Sequence, residues 1–246
     1  MGTVDHEAFA RDGFVRLAAF ADRATCDAML ERVVAIARER AAGRGGPQLV
    51  LPEANLAGRE AELPEALVSK VFKLHRDTVF EAFARSSEVT DLVAELVAPQ
   101  LDCFLSQFIF KNPGAWGQPW HQDSYYFPFE PARPILGVWL AVTEATLENG
   151  CLHVLPGSHL EPVHEHVADR RPGANYGYVE IVDHDMTGAQ PVLMQPGDLL
   201  LFDSHLMHRS TDNVSDGIRA AMVYHYAATG TVERSPGLVT DFVAVR

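Results

Sequence analysis

The part of the chain that follows Leu101 consists of short apolar runs separated by Pro, Gly and Asn. This pattern is typical of a β-sandwich or a β-barrel, in which short strands alternate with turns. Asn149-Gly150 and Pro196-Gly197-Asp198 are turn sequences of this kind. The predicted strands are 102–111, 136–143, 151–155, 191–195, 199–203 and 219–226.

Residues 5–100 have a mostly helical pattern, apart from a short apolar stretch at 14–17 that predicts a strand. Asp22 is the predicted N-cap of a helix whose apolar residues recur at helical spacing until the chain reaches Gly43. Ser86 or Ser87 is expected to cap a second helix that runs to about residue 98. The intervening segment 43–64 is rich in Gly, Pro and charge, which predicts a loop.

Composition excludes several classes of partner. The formal net charge is -13, and no run of Lys or Arg is long enough to follow a phosphate backbone or an anionic bilayer. No segment stays apolar long enough to span a membrane, and the first residues do not have the pattern of a secretion signal, so a cytoplasmic protein is expected. The three cysteines are far apart, which predicts small buried side chains rather than disulfides or a zinc site.

A histidine and an aspartate stand two positions apart in the segment PWHQDSYYFPF, as His121 and Asp123. Side chains two apart in an extended segment point to the same side, so this imidazole and this carboxylate can share one ion. One further histidine would complete a facial triad of two His and one carboxylate. Such a triad leaves three adjacent coordination positions open, as non-haem Fe(II) oxygenases require.

The third ligand is expected in the segment GDLLLFDSHLMHRS, which offers His205 and His208. His208 and Ser210 share a strand face by period-two spacing, whereas His205 falls on the opposite face. The spacing therefore favours His208, with His205 as the alternative. Residues 211–217 predict a strong turn, and a hairpin folded midway would bring Arg219 across from Ser210.

A guanidinium and a hydroxyl beside a metal ligand form a receptor for a carboxylate, because Arg219 offers a permanently charged, bidentate partner. A metal with open positions beside an anchored carboxylate is what 2-oxoglutarate requires. Its keto acid end chelates the iron while its far carboxylate pairs with the arginine. The residues alone therefore predict Fe(II) and 2-oxoglutarate as cofactors.

Three blocks of the chain resemble the phytanoyl-CoA dioxygenase family, namely HQDSYYFPFEP, LGVWLAVTEATLENGCLHVLPGSH, and GDLLLF followed by H-x-S and Arg219. The resemblance covers most of residues 67–228 and includes the order and spacing of the blocks. It implies that Fe(II) is bound by His121, Asp123 and His208. It also implies contacts to 2-oxoglutarate or its surroundings by Ser210, Arg219, Trp139, Lys70 and Gln107.

The family fold is a double-stranded β-helix, or jelly roll, with helices packed on its outside. The resemblance therefore implies a mainly β, cupin-like fold with flanking α-helices. One domain is expected over residues 1–246, with mostly helical support at 1–100 and the jelly-roll core at 101–230.

The reaction that the resemblance implies uses Fe(II), 2-oxoglutarate and O2 to hydroxylate a small organic substrate, with release of succinate and CO2. Asp123 argues against halogenation, since halogenases of this superfamily carry a small residue at that position. Desaturation, epimerisation and cyclisation need no change of ligands and stay open. Tyr125, which follows the first two ligands, is the predicted substrate contact.

Two functions of other classes compete with the oxygenase. One is a cupin-like hydrolase or isomerase that uses another divalent ion at the same triad, for which Arg219 has no obvious use. The other is a non-catalytic sensor or interaction protein that retains the fold, against which the complete ligand set argues. The sequence specifies neither the substrate nor the oligomeric state.

Overall fold

A computed structural model of the protein describes residues 3–235, 237 and 239–246. The helices in this part of the chain are α1 (His6–Asp12), α2 (Arg23–Ala41), α3 (Thr78–Ala84) and α4 (Ser87–Leu96). The strands are β1 (Phe14–Leu17), β2 (Leu49–Pro52), β3 (Val68–Phe72), β4 (Leu101–Lys111), β5 (Phe129–Glu130), β6 (Ile135–Ala141), β7 (Leu152–Val154), β8 (His166–Ala168), β9 (Val179–Ile181), β10 (Gln190–Val192), β11 (Leu199–Asp203), β12 (His208–Ser210), β13 (Arg219–Ala228), β14 (Val232–Glu233) and β15 (Val243–Ala244).

The two longer helices begin where their capping residues predict. The Asp22 carboxylate accepts a hydrogen bond from the backbone N–H of Thr25, and the Ser86 hydroxyl accepts one from Val89. These contacts satisfy N–H groups that have no partner within a first helical turn. Both predicted helices are confirmed. None of the helices in the described residues is long and apolar enough to cross a membrane.

Two antiparallel sheets form the β core, and β14-β5 and β8-β9 form two further sheets of two strands each. The large sheet has the strand order β1-β11-β6-β13-β4-β3-β2, with β15 paired to β4, and the small sheet has the order β10-β7-β12. This arrangement confirms the predicted mainly β jelly roll with flanking helices. Helices α2, α3 and α4 pack on one face of the large sheet, and the small sheet covers the other face.

Strand β6 shows why the central strands of the large sheet have continuous apolar sequences. Val138 and Leu140 belong to the hydrophobic cluster under the helices, whereas Trp139 and Ala141 belong to the cluster between the two sheets. Successive side chains of a strand point to opposite faces, so both faces must be apolar when both are covered. The central strands are therefore buried on both sides. The face toward the small sheet is the one on which a site can lie.

The first hundred residues contain more strand than the sequence predicts. Strands β2 and β3 lie in this region, and β2 falls within the segment predicted as the 43–64 loop. Both are short, and they extend the large sheet through pairing of β3 with β4. Their local sequence is too short for a period to emerge, and they form by pairing, β3 with the edge of β4 and β2 with the edge of β3. The expectation of a mostly helical region 5–100 is wrong in this respect.

The remaining strand predictions differ from the structure only at their ends, and 199–203 agrees with β11. The three cysteines are buried and unpaired, as predicted.

Candidate metal centre

Two histidines from different segments meet across an antiparallel bridge. The backbone N–H of His121 donates to the carbonyl of His208 at 2.9 Å, and the N–H of His208 donates to the carbonyl of His121 at 3.0 Å. Directly opposed residues project their side chains to the same face of a sheet. The two imidazole rings therefore lie together, with centroids 4.2 Å apart, in a buried position.

Backbone carbonyls orient both rings. The Nδ1–H of His121 donates to the carbonyl of Pro119 at 2.7 Å, and that of His208 donates to the carbonyl of Leu206 at 2.9 Å. This assignment of the protons leaves each Nε2 with a lone pair. Each Nε2 faces Asp123 Oδ1, at 3.5 Å from His121 and 3.7 Å from His208.

Asp123 supplies a carboxylate at the start of a 3-10 turn, Asp123–Tyr126. The predicted extended geometry holds through Gln122, whose φ is -116° and ψ is 131°, and ends there. The other oxygen, Oδ2, accepts a hydrogen bond from His225 Nε2 at 2.7 Å. One carboxylate oxygen is thus held by a neighbour while Oδ1 is directed at the two imidazoles.

The charges of this cluster favour an ionised carboxylate and a neutral His208. Burial alone would raise the pKa of Asp123, but the imidazoles around it, among them His225 with its hydrogen bond to Oδ2, outweigh burial and hold that pKa well below its ordinary value. Burial, reinforced by His121, lowers the pKa of His208 to about 4. Two unprotonated imidazole nitrogens and a carboxylate make a donor set for a divalent metal, and their atoms lie within 4.8 Å of one another.

His205, the alternative ligand, lies elsewhere. Its Nδ1 contacts the carbonyl of Glu161 at 3.1 Å, and its backbone N–H donates to Asp203 Oδ1 at 2.8 Å. The group of ligand atoms that meets around Asp123 contains His208 and not His205.

The predicted hairpin between Ser210 and Arg219 is wrong. Strand β12, which carries Ser210, pairs with β7 in the small sheet, whereas β13, which begins at Arg219, pairs with β4 and β6 in the large sheet. The turn residues between them carry the chain from one sheet to the other. Ser210 and Arg219 nevertheless line the same cavity, from opposite walls.

Arg219 is a buried cation, only 1% exposed, inside this cavity. Its Nη2–H donates to the carbonyl of Gly150 at 2.9 Å, while Nε and Nη1 have no hydrogen-bond partner among the described residues. Burial lowers its pKa to about 10. Its guanidinium lies 5.7 Å from the centre of the Trp139 ring. Unsatisfied buried N–H groups are costly, so this arginine is suited to receive an anion.

The Ser210 hydroxyl is held in place by two hydrogen bonds. Its hydroxyl oxygen accepts hydrogen bonds from Lys111 Nζ at 3.0 Å and from the backbone N–H of Gln118 at 3.1 Å. The hydroxyl hydrogen is therefore free to donate into the cavity. Lys111 is itself buried, and its ammonium also donates to the carbonyls of Trp116 and Thr211. Burial and the charge of Arg219 lower the pKa of Lys111 well below its ordinary value.

The cavity has a volume of about 310 Å³ and opens beside the three candidate ligands. Of the other residues predicted to lie near a cosubstrate, Trp139, Gln107 and Lys70 all line it. Lys70 Nζ donates to Gln118 Oε1 at 3.0 Å and lies 4.8 Å from the centre of the Tyr178 ring.

Tyr125, the predicted substrate contact, is not among the residues that line the cavity. Its side chain is 44% exposed and stacks on His166, with ring centroids 4.3 Å apart. The 3-10 turn that begins at Asp123 rotates the next residue, Tyr126, into the cavity in its place. The turn thus sets Tyr125 outside the cavity, and its contact with a substrate stays a prediction.

Among the polar residues of the cavity that sequence reasoning missed, two had a signal in the sequence. His225 lies six positions after Arg219 on β13, and Lys111 lies four positions after Gln107 on β4. Even spacing along a strand places each pair on one face. Extending the period-two argument along these strands would have found both.

Comparisons with known proteins agree on one family. A family model described as phytanoyl-CoA dioxygenase (PhyH) matches residues 9–221. Phytanoyl-CoA dioxygenase domain-containing protein 1 of Rattus norvegicus is 36% identical over 184 residues, which cover 71% of this chain and 62% of that protein. The peroxisomal phytanoyl-CoA dioxygenase of Bos taurus is 31% identical over 184 residues, which cover 72% of this chain and 55% of that protein. The matched region thus spans 55% and 62% of the length of these two relatives.

A solved structure shares the fold over nearly the whole chain. It is the crystal structure of EvdO2 from Micromonospora carbonacea var. aurantiaca complexed with 2-oxoglutarate. The TM-score is 0.63 at 26% sequence identity, and the match covers 96% of both chains.

Proposed function

The chain belongs to the phytanoyl-CoA dioxygenase family, and from this we propose that it is an Fe(II)- and 2-oxoglutarate-dependent oxygenase that hydroxylates a small organic substrate. The observation that carries the proposal is the buried Arg219 guanidinium, whose Nε and Nη1 lack partners among the described residues in the cavity that also holds the His-Asp-His cluster. A metal-dependent hydrolase would need the triad but not this cation.

In this proposal the Nε2 atoms of His121 and His208 and the Oδ1 atom of Asp123 hold Fe(II). The donor set fits, because both imidazoles present unprotonated nitrogens and the carboxylate is ionised. His225 keeps the carboxylate in place through its hydrogen bond to Oδ2. A hydrogen bond of this kind to a ligand side chain fixes the orientation of that side chain before the metal binds.

Arg219 and Ser210 bind the far carboxylate of 2-oxoglutarate in this proposal. The guanidinium offers its unpartnered N–H groups, and the Ser210 hydroxyl offers its hydrogen. Charge-assisted hydrogen bonds are strong where water is excluded, as it is around the buried guanidinium of Arg219. Together, bound Fe(II) and 2-oxoglutarate supply the oxidising power for hydroxylation by O2, with release of succinate and CO2.

The wall of the cavity indicates the substrate class. Its members include the apolar side chains Leu49, Leu51, Phe72 and Tyr178, together with Tyr126 beside the metal centre. A cavity of about 310 Å³ also has to hold the cosubstrate, so the part of the substrate that enters is small and largely apolar. Exclusion of water by this wall would protect the oxidising centre during turnover.

The binding proposal is tested by anaerobic titration of the Fe(II)-loaded protein with 2-oxoglutarate, in which the iron chelate is detected by its visible charge-transfer absorption. Arg219→Ala should weaken 2-oxoglutarate binding by about 10- to 100-fold, since hydrogen bonds to charged groups contribute about 1.5–3 kcal/mol. Iron binding should change little. Arg209→Ala is the matched control, because Arg209 stacks on Trp120 outside the cavity.

The ligand assignment is tested in the same titration with two histidine variants. His208→Ala should abolish the absorption, and His205→Ala should retain it, because only His208 faces Asp123. The reverse result would overturn the assignment. Full absorption in both variants would mean that neither histidine binds the iron.

Turnover separates the oxygenase from the competing functions. With Fe(II), O2 and a panel of small apolar substrates, 2-oxoglutarate should be converted to succinate, and the product should gain one oxygen atom. Succinate formation with a product that has lost two hydrogens, or that is an isomer of the substrate, would retain the cofactors but replace hydroxylation. Failure to bind either cofactor would favour a non-catalytic role.

A further inference from the structure

A second cluster of two histidines and one carboxylate lies outside the cavity. His164 Nε2 is 2.9 Å from Glu161 Oε2, and His184 Nε2 is 3.1 Å from the same oxygen. Ligand atoms of the three residues lie within 4.8 Å of one another. The imidazoles lie edge to face, with ring centroids 5.0 Å apart, and both Nε2 atoms contact the same carboxylate oxygen.

The three residues come from two loops. Glu161 follows the 3-10 turn Ser158–Leu160, His164 precedes β8, and His184 lies between β9 and β10. All three are partly buried, with side chains 40%, 21% and 19% exposed for Glu161, His164 and His184. They are thus reachable from solvent, yet they are held in position by the surrounding fold.

We propose that Glu161, His164 and His184 form a second site for a divalent transition metal of the zinc class, distinct from the His-Asp-His centre. Zinc accepts imidazole nitrogen and carboxylate oxygen at about 2.0–2.2 Å and takes a tetrahedral arrangement, which sets neighbouring ligand atoms about 3.3 Å apart. The present spacings to the shared oxygen, 2.9 Å and 3.1 Å, need only small adjustments. The partly exposed side leaves the fourth position to water.

The position of the cluster gives this metal a structural role. His164 donates its backbone N–H to Gln122 Oε1 at 2.8 Å, and Gln122 Nε2 donates to the carbonyls of Pro162 and His205. Gln122 stands between His121 and Asp123 in the chain. A metal that joins the 161–164 loop to His184 would therefore stiffen the segment that holds two ligands of the main centre.

The test counts zinc ions bound by the metal-stripped full chain, with His208→Ala as the background because it removes a ligand of the main triad. This background should bind one Zn²⁺ per chain in a calorimetric titration. His208→Ala/His184→Ala and His208→Ala/Glu161→Gln should bind none. The melting temperature should rise with Zn²⁺ in the background and stay constant in both double variants.

The matched control is His208→Ala/His6→Ala, because His6 Nε2 also contacts one carboxylate, Glu95 Oε2 at 3.0 Å, but has no second imidazole beside it. This variant should retain the single ion. Circular dichroism checks that every variant is folded. A background that binds no zinc, or double variants that bind as much as the background, would overturn the proposal and would identify the cluster as a carboxylate–imidazole ion pair. Neither result depends on whether the main centre binds iron.

Discussion

At the scale of single residues, the candidate centre depends on which partner each polar side chain contacts. His121 and Asp123 were predictable because their spacing is local, and His208 because its strand face differs from that of His205. Even spacing along β13 puts His225 on the strand face of Arg219, but its pairing with Asp123, 102 positions away, could not be predicted from local spacing. Its hydrogen bond leaves Asp123 with one free oxygen for the metal.

We predict that His225→Phe weakens Fe(II) binding by roughly 10- to 100-fold, the range found when partners of metal ligands are removed. The phenyl ring fits among Phe104, Phe127 and Phe202 but cannot donate to Asp123 Oδ2. His225→Gln retains a donor and should recover part of the affinity. Anaerobic Fe(II) titration measures both. His153→Phe, a substitution outside the cavity, serves as the control, and equal affinity in all variants would contradict the assigned role.

At the scale of elements, strands β6 and β11 fit together because Gly137 of β6 has no side chain. Gly137 pairs with Phe202, and a Cβ built on Gly137 would lie 2.3 Å from an atom of the Phe202 ring. The ring lies beside both His208 and His225, at centroid distances of 5.2 Å and 6.2 Å. The glycine thus gives the aromatic ring the space that it needs beside the candidate metal centre.

Gly137→Ala should therefore destabilise the fold by about 1–3 kcal/mol, as overpacking of a core does, and should also weaken metal binding. Urea denaturation measures the first effect and Fe(II) titration the second. Adding Phe202→Leu should relieve the clash and restore stability in part. Gly217→Ala is the control, because its Cβ would meet only the Ser215 hydroxyl at 3.9 Å. Unchanged stability of Gly137→Ala would show that Phe202 moves away at little cost.

Element prediction succeeded where the local pattern was strong and failed where pairing was long-range. The Asp22 and Ser86 caps mark helix starts directly, and the apolar runs of β6 and β11 are visible in the sequence. Strands β2 and β3 depend on the edge of β4, and the partners of β12 and β13 depend on which sheet each joins. A strong turn such as 211–217 reverses the chain, but it does not specify that the two strands pair with each other.

At the scale of the whole molecule, folding buries several ionisable groups. Burial lowers the pKa of His75, whose ring lies between the Ser106 hydroxyl and the Asp241 carbonyl, and lowers that of His208 to about 4. The folded state therefore holds these imidazoles neutral at a pH where the unfolded chain protonates them. Stability is full above the ordinary histidine pKa of about 6.5 and is lost as pH falls toward the lowered values.

The free energy of unfolding of the metal-free protein should decrease steadily from pH 7 to about pH 4, as urea denaturation at a series of pH values would measure. His75→Gln should reduce the slope of this decrease, because one group that gains a proton on unfolding is removed. Parallel pH profiles for His75→Gln and the wild type would contradict the assignment of His75.

The placement of β12 and β13 in different sheets has a mechanical consequence. Ser210 reaches the cavity from one wall of the sandwich and Arg219 from the other, so an anion held by both side chains would crosslink the walls. Occupancy would then oppose separation of the two layers, and resistance of the chain to proteases would rise with the concentration of that anion. The lifetime of the protein in the cell would then depend on the concentration of 2-oxoglutarate.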